Sequence, residues 1–337
     1  MRAIAGRSRQ SEPRLPSTSD RSSLPVSGRT STLSQQQRLY LSVLIALAGA
    51  LVCLGFRAVA HDNGDFWWAL HTALALLNGR DPYVGLGPAQ VAYPLPIALV
   101  GLPMLLVPNI GASVVFVGIS TGLLAYGALR DKTPWELGVL LSASFIIAAE
   151  YAQWGIIITA MAHIPLLLPL ILIKPHVALP VALTRRPSRQ GVLVTGIILL
   201  LSLAVMPDWP WRWMNTTISY QRVIPLLVFP IGPLLLTALV ASRDPRAWQL
   251  ILMSVLPHRG LYDLMPLWLL TSNWRQSMIL VVASWMLYLT GWSQHPFWVV
   301  TLLFLPALAF VIQPTLARRF APRPKGAITS QGTQRDS

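Results

Sequence analysis

The stretch 62–96, DNGDFWWALHTALALLNGRDPYVGLGPAQVAYPLP, decides how this chain is read. It lies between two hydrophobic runs, yet it carries Asp62, Asp65 and Asp81, three of the 12 acidic residues in the chain. Two carboxylates stand directly after the first run, an apolar segment of helical length follows, and a Gly/Pro-rich turn closes the stretch with Tyr83 and Tyr93. At about 1.5 Å per residue, residues 66–79 are too short to cross a hydrocarbon core of about 30 Å. His71, Ala75 and Asn78 fall at helical spacing and form a narrow polar stripe, and Trp67 and Trp68 suit the headgroup layer. The segment therefore reads as a helix lying in the outer membrane interface, stopped by Gly79.

The 337 residues are 54% hydrophobic and 11% charged, against about 25% charged in soluble domains. Apolar runs recur along nearly the whole chain after residue 38, which predicts one integral membrane domain over 39–313. Residues 1–38 are rich in Ser, Arg, Pro and Gln and read as a disordered basic tail, as do residues 314–337. The N-terminal tail is not a signal peptide, because its apolar region starts too late. The net charge of +14 is concentrated in the two tails, in TRRPSRQ (184–190) and in SRDPR (242–246). Short basic segments beside spans stay in the cytoplasm, so the charge reads as topology and contact with anionic membrane lipids. No basic stripe is interleaved with aromatics, so nucleic acid is not an expected partner. Cys53, the only cysteine, excludes an intramolecular disulfide and reads as a small core residue.

The run 39–60 crosses outward from the basic tail and delivers Asp62 and Asp65 to the external side. Runs follow at 91–108, 111–129, 134–151 and 191–206, then at 223–240, 278–292 and 297–312. Short arms at 247–256 and 261–270 surround the polar stretch PHRGLYD. Residues 155–183 are too long for one straight span, and Lys174-Pro175 breaks them. Two short arms there keep the basic loop 184–190 inside. The total is roughly ten spans in an all-α, polytopic membrane protein. The loop 207–222 is dense in tryptophan and reads as an aromatic belt.

Ionisable groups at membrane depth cost about 2.5–3.5 kcal/mol or more each and commonly mark function. Five places qualify: Asp62 with Asp65, Glu150 with Gln153, His163, Lys174 with His176, and His258 with Tyr262 and Asp263. Asp65 suits a general base for a hydroxyl nucleophile, or else caps the helix that follows it. Asp62 is a cap or simply solvated. Asp81, before Pro82, reads as turn chemistry. Lys174 either snorkels or holds a phosphate as a point charge. The polar groups of 258–263 exceed what a turn needs, whereas His163 reads as an internally bonded core histidine. No zinc spacing, phosphate-binding glycine loop or serine-nucleophile motif stands out, and no cofactor is expected.

Taken in order, Asp65, NGRDPY (78–83), AYPLP (92–96) and LPMLLVP (102–108) resemble the opening of glycosyltransferase family 87. These are polyprenol-phosphate-mannose-dependent mannosyltransferases and relatives of the GT-C superfamily. Gln153-Trp154-Gly155, Ile173-Lys174-Pro175-His176 and SVLPHRGLYDLMPLWLL (254–270) are similar to later elements of that family. The resemblance implies a GT-C helical bundle in the plasma membrane, a polyprenyl-phosphate sugar as donor and a glycan or glycolipid acceptor. It implies direct transfer with inversion, and Asp65 matches the proposed catalytic position. Lys174, His258 and Asp263 match polar positions around donor phosphate and acceptor. Asp62, Tyr83, Tyr93, Gln153, His176 and Tyr262 complete the expected substrate contacts. A transporter or flippase for a lipid-linked or polar solute, and a degenerate non-catalytic relative, are the competing readings.

The topology is testable with an impermeant thiol reagent on intact cells. Cysteines are introduced singly at Ser19, Gly87 and Ser330 in a Cys53→Ser background. Only the Gly87 position should react; labelling at Ser19 but not at Gly87 overturns the orientation.

Overall fold

Small residues set the first contact of the fold. In the computed structural model, which describes residues 33–86, 92–108, 110–185, 187–217 and 223–320, helix α1 (Gln35–Ala60) packs along α4 (Gly111–Arg130). Gly118 and Gly122, one turn apart on α4, face Ala50 and Ala46 of α1. A Cβ added at either glycine would stand 3.1 or 2.9 Å from the facing alanine Cβ. Gly49 of α1 answers with its face against Thr121. Backbones approach this closely only where side chains are small. Cys53 is buried in α1, as a core residue should be.

Between these two helices the chain forms α2 (Trp67–Leu77) and α3 (Ala98–Met104). Gly79, at φ +64°, ends the preceding helix, with the Arg80 amide donating to the Ala75 carbonyl at 2.8 Å. Helix α2 buries Trp68, Ala69, Thr72 and Ala73. A Cβ on Gly101 of α3 would lie 2.0 Å from the Ala69 carbonyl, so α2 is docked on α3 over one face.

The middle of the chain is broken by proline. After α4 come a 3₁₀ segment at Pro134–Leu141, α5 (Ala143–Glu150) and α6 (Gly155–Met161), with a 118° bend between α5 and α6. A second 3₁₀ segment, Pro165–Leu172, leads to α7 (Pro175–Thr184). Lys174 is the N-cap residue of α7 and Pro175 its first position, so the break falls where Lys174-Pro175 predicts it. The run 155–183 becomes three pieces, one more than expected, because Pro165 also restarts the helix.

Helix α8 (Arg189–Val205) turns by 92° into α9 (Trp209–Thr217). A 3₁₀ segment, Gly232–Ala241, leads to α10 (Pro245–Val255), and another, Leu261–Leu270, to α11 (Trp274–Leu289). Helices α12 (Pro296–Val299) and α13 (Leu305–Phe320) join through one π turn. The segment Val223–Val240, expected as a span, opens on a bridge residue, makes one 3₁₀ turn at Pro225–Leu227 and is 3₁₀ again from Gly232.

Helix is the regular structure of the described residues; among them there is no strand, only one isolated bridge between Val223 and His258. Among them, three helices are long and apolar enough to cross a membrane, at Gln35–Ala60, Gly111–Arg130 and Pro296–Phe320. Counting each bent pair as one span raises the number to five. The sequence reading of roughly ten counts further apolar runs that prolines shorten to 7–10 residues, such as α3 and α7. Both ends of the core extend past the expected domain limits. Helix α1 starts at Gln35, and α13 carries the chain through Pro314 to Phe320 where a disordered tail was expected. The remaining tail residues, 1–32 and 321–337, lie outside the described residues.

His163 is the bonded core histidine that its apolar surroundings predict. Its Nδ1 lies 2.9 Å from Asp131 and its Nε2 lies 2.8 Å from Glu136, while Arg130 bonds its carbonyl oxygen. Partial burial pushes the Asp131 carboxyl up. Hydrogen bonds from Arg130 and His163 outweigh that and hold it below its ordinary value of 3.8. A depressed carboxyl contributes stability above that pH and loses it as pH falls below.

Replacing His163 with Ala leaves Glu136 buried opposite an empty space. The expected loss is about 3–5 kcal/mol, read from denaturant unfolding in detergent at pH 7, and shrinking as the pH is taken below 3.8. An unchanged midpoint would remove the cluster from the forces that hold α4, α6 and the segment after Thr133 together.

Candidate functional site

Asp65 is placed by its backbone. Gly64 adopts φ +52°, and a Cβ there would stand 2.6 Å from the Tyr151 carbonyl oxygen. That same carbonyl accepts the Asp65 amide at 2.8 Å. The acidic loop is thereby pinned to the end of α5. Gly64 is required on both counts, the positive φ and the missing space.

The Asp65 side chain does not cap α2. The N-cap of α2 is Phe66, without a side-chain capping bond. Oδ2 of Asp65 instead accepts from the Tyr93 hydroxyl at 3.3 Å and from the Gln153 side-chain amide. Among the described residues no hydrogen bond falls on Oδ1. The capping reading fails because these two long-range donors pull the carboxylate away from the first turn. Asp62 takes the local role: it accepts from the Gly64 amide at 2.9 Å and pairs with the buried guanidinium of Arg57.

Gln153 forwards the contact. It is 2% exposed, and its Oε1 accepts from Lys174 Nζ at 3.0 Å. The bend between α5 and α6 puts it there, helped by Gly155. A Cβ on Gly155 would lie 2.2 Å from the Tyr262 carbonyl, so α6 closes directly on the 261–270 segment.

Lys174 is not a snorkelling residue. It is 2% exposed, and its Nζ lies 2.7 Å from Oδ1 of Asp263, which is wholly buried. The Tyr262 ring centroid stands 4.9 Å from the ammonium, within cation–π range. Oδ2 of Asp263 accepts the Arg259 amide at 2.9 Å and lies 3.7 Å from His176 Nε2. A continuous polar chain thus runs from Tyr93 through Asp65, Gln153 and Lys174 to Asp263. It joins residues that the sequence places in four separate segments.

This chain borders a cleft. Tyr93, Lys174, His176, Arg259, Trp213 and Thr217 line it together with five apolar residues, around a cavity of about 110 Å³. Among the described residues no carboxylate lines it; Asp65 and Asp263 stand behind Tyr93 and Lys174. The arrangement suits an anionic group carried on an apolar body. Tyr83 supports the near wall, donating to the Tyr93 carbonyl at 3.2 Å. Burial and the neighbouring Asp81 carboxylate push its phenol up, so it remains a donor.

His258 is outside the cleft. Its ring is buried with Nε2 2.6 Å from the Met253 carbonyl, and its backbone pairs with Val223. The expected meeting of Lys174 and His258 at one phosphate is therefore replaced by the meeting of Lys174 with Asp263. The side chain of His258 turns back over the end of α10 because the bridge to Val223 fixes its backbone.

Two participants, Trp213 and Thr217, were not singled out from sequence. Arg259 lines the cleft from within the PHRGLYD stretch. Trp213 and Thr217 reach it from a loop read as an aromatic belt, although Trp211 in that loop is 67% exposed, as a belt residue would be. Arg212 ties that loop to the first one by pairing with Asp81 as well as with Asp208. Asp81 also makes its predicted turn contact with the Tyr83 amide at 2.8 Å. A cation and two tryptophans at alternate positions, Trp211-Arg212-Trp213, were the available signal.

Comparison of the chain with protein families, with characterised proteins and with solved structures yields no match.

The buried pair makes a prediction that separates charge from shape. Lys174→Ala strands Asp263 without its partner and should cost about 3–5 kcal/mol of stability. Lys174→Met combined with Asp263→Asn removes both charges at similar volume and should recover most of that loss. Thermal unfolding in detergent reads both; a double variant as unstable as Lys174→Ala would show that the charges are not the coupled term.

Proposed function

We propose that this chain is a multi-pass membrane glycosyltransferase of the GT-C type, related to family 87. In this reading it transfers a hexose, mannose by resemblance, from a polyprenyl-phosphate donor to a lipid or glycan acceptor on the external face of the plasma membrane. The observation that carries the reading is the link between Asp65 and the cleft. A carboxylate held by two donors sits one hydrogen bond behind Tyr93, which lines a cleft bearing Lys174, His176 and Arg259. The order of the motifs along the chain supports the same assignment.

The chemistry follows from these positions. Arg259 and His176 face the donor phosphate, with Lys174 behind them held by Asp263. Charge-assisted contacts of this kind are roughly twice as strong as neutral ones. Trp213 and Tyr93 offer aromatic surface to the sugar. The acceptor hydroxyl attacks the anomeric carbon while the bond to the phosphate oxygen breaks, and the lipid phosphate departs with the electron pair. The hydroxyl proton reaches Asp65 through Tyr93: the tyrosine oxygen takes it as the tyrosine's own proton passes to Oδ2 of Asp65. One displacement inverts the anomeric centre.

One observation favours the second reading, a transporter or flippase. The Lys174–Asp263 pair is buried at the break before α7 and near the start of Leu261–Leu270, and broken helices with buried charges also serve transport.

Purified protein incubated with polyprenyl-phosphate mannose and an acceptor lipid extract should form a mannosylated product. Asp65→Asn should lower turnover about 10²–10⁴-fold with little change in unfolding temperature, whereas Asp62→Asn should keep most activity. Normal turnover by Asp65→Asn would sink the catalytic assignment. Movement of a labelled lipid across vesicles without product formation would favour transport instead.

A further inference from the structure

A second basic site lies apart from this cleft and shares no residue with it. The junction before α10, at Ser242, Arg243 and Asp244, meets the last turns of α13, at Thr315, Arg318 and Arg319, around a cavity of about 830 Å³. The two contributors are far apart in sequence, and each alone is an ordinary basic flank of an apolar run.

Their charges do not cancel. Asp244, the carboxylate lining the cavity, is engaged by Arg246, whose Nη2 and Nε lie 2.7 and 3.0 Å from Oδ2. It also caps α10 by accepting the Arg246 amide at 2.9 Å. Arg246 is turned toward the Leu270 carbonyl and Ser272, away from the cavity. Arg243, Arg318 and Arg319 therefore face the space as three guanidinium groups against a carboxylate that is already neutralised. Among the described residues Arg318 bonds through Nε alone, to the Pro314 carbonyl at 3.3 Å, and its terminal nitrogens carry no bond. Planar guanidinium forks with two hydroxyls at hand suit the oxygens of a phosphate.

A second cavity on the same helix end selects among phosphates. Ala309, Ile312, Leu316, Ala317 and Phe320 line a trough of about 440 Å³ that is apolar but for Gln313. At 3.6 residues per turn, this trough and the basic cavity occupy adjoining sides of the last turns of α13. A headgroup phosphate on the arginines would lead its acyl chains back along Leu316 and Ile312 toward the apolar body of α13. We propose that this end of α13, with the 242–244 junction, is a binding site for an anionic phospholipid, recognised through its phosphate and one acyl chain.

The full-length protein is purified in detergent, and bound lipid is followed by native mass spectrometry. Phosphatidylglycerol and phosphatidylcholine of identical chains are offered in turn. Phosphatidylglycerol should be retained and phosphatidylcholine should not. Arg243→Gln/Arg318→Gln/Arg319→Gln should weaken retention by about 10–100-fold, given the attraction of each basic residue near anionic lipid. Should that variant not purify, Arg318→Gln and Arg319→Gln singly, both at exposed positions, should each weaken it about threefold or more. Arg275→Gln, an exposed cation outside the cavity, should change nothing. Equal retention of the two lipids, unchanged retention in the cavity variants, or an equal loss in Arg275→Gln overturns the site. Displacement of phosphatidylglycerol by millimolar inorganic phosphate overturns the lipid and leaves a site for free phosphate.

Discussion

The buried contact between Lys174 and Asp263 constrains the centre of this molecule. Removing two charges from water is costly, and their attraction offsets that only with good geometry and further hydrogen bonds. Here the ammonium lies 2.7 Å from one carboxylate oxygen and 3.0 Å from Gln153, while the other oxygen accepts the Arg259 amide. Neither side chain comes from the middle of a regular α-helix. Lys174 sits in non-helical backbone at φ −138° and ψ 72° ahead of Pro175, and Asp263 sits in the first turn of a 3₁₀ segment after Gly260. The pair thus forms where two helical segments are interrupted.

Other parts of the fold bring backbone to the pair at very short range. Gly155 allows α6 to lie against the Tyr262 carbonyl, which carries Gln153 to Lys174. Gly64 allows the acidic loop to lie against the Tyr151 carbonyl, which carries Asp65 to Gln153. Each approach would be blocked by a single methyl group. The precision of the polar chain therefore depends on two glycines whose own side chains contribute nothing. At the rim, Arg212 holds α9, which bears Trp213, to the loop bearing Tyr83 through Asp81, so the cleft walls come from segments that are fastened to each other.

Much of this was legible where a charge interrupts apolar sequence. Lys174-Pro175 announced a break, and the break is there because proline removes a donor and restricts the residue before it. The polar density of 258–263 announced a site element, and Asp263 and Arg259 belong to it. His163, alone among apolar neighbours, announced an internal bond. Directions of side chains were not legible. A carboxylate before a helix looks the same whether it caps that helix or turns to donors 28 and 88 residues away, as Asp65 does. His258 and Asp263 looked equivalent in sequence, yet the bridge to Val223 turns the histidine away while the aspartate points at Lys174. Apolar runs outnumber long continuous helices for a related reason: hydropathy measures composition, whereas prolines at 165, 169 and 175 decide where a helix can continue.

By itself the sequence determined an all-helical chain of apolar runs, the position of the break at Lys174-Pro175 and the identity of the ionisable residues that interrupt those runs. These follow from local physics: burial of apolar surface, the missing amide of proline and the cost of a charge away from water. Tertiary structure alone decided which charges meet. It paired Lys174 with Asp263, drew Asp65 off its helix and onto Tyr93 and Gln153, and brought Arg243 beside Arg318 and Arg319. Those partners are distant in sequence, and their distances depend on close backbone contacts at glycine that no local pattern encodes.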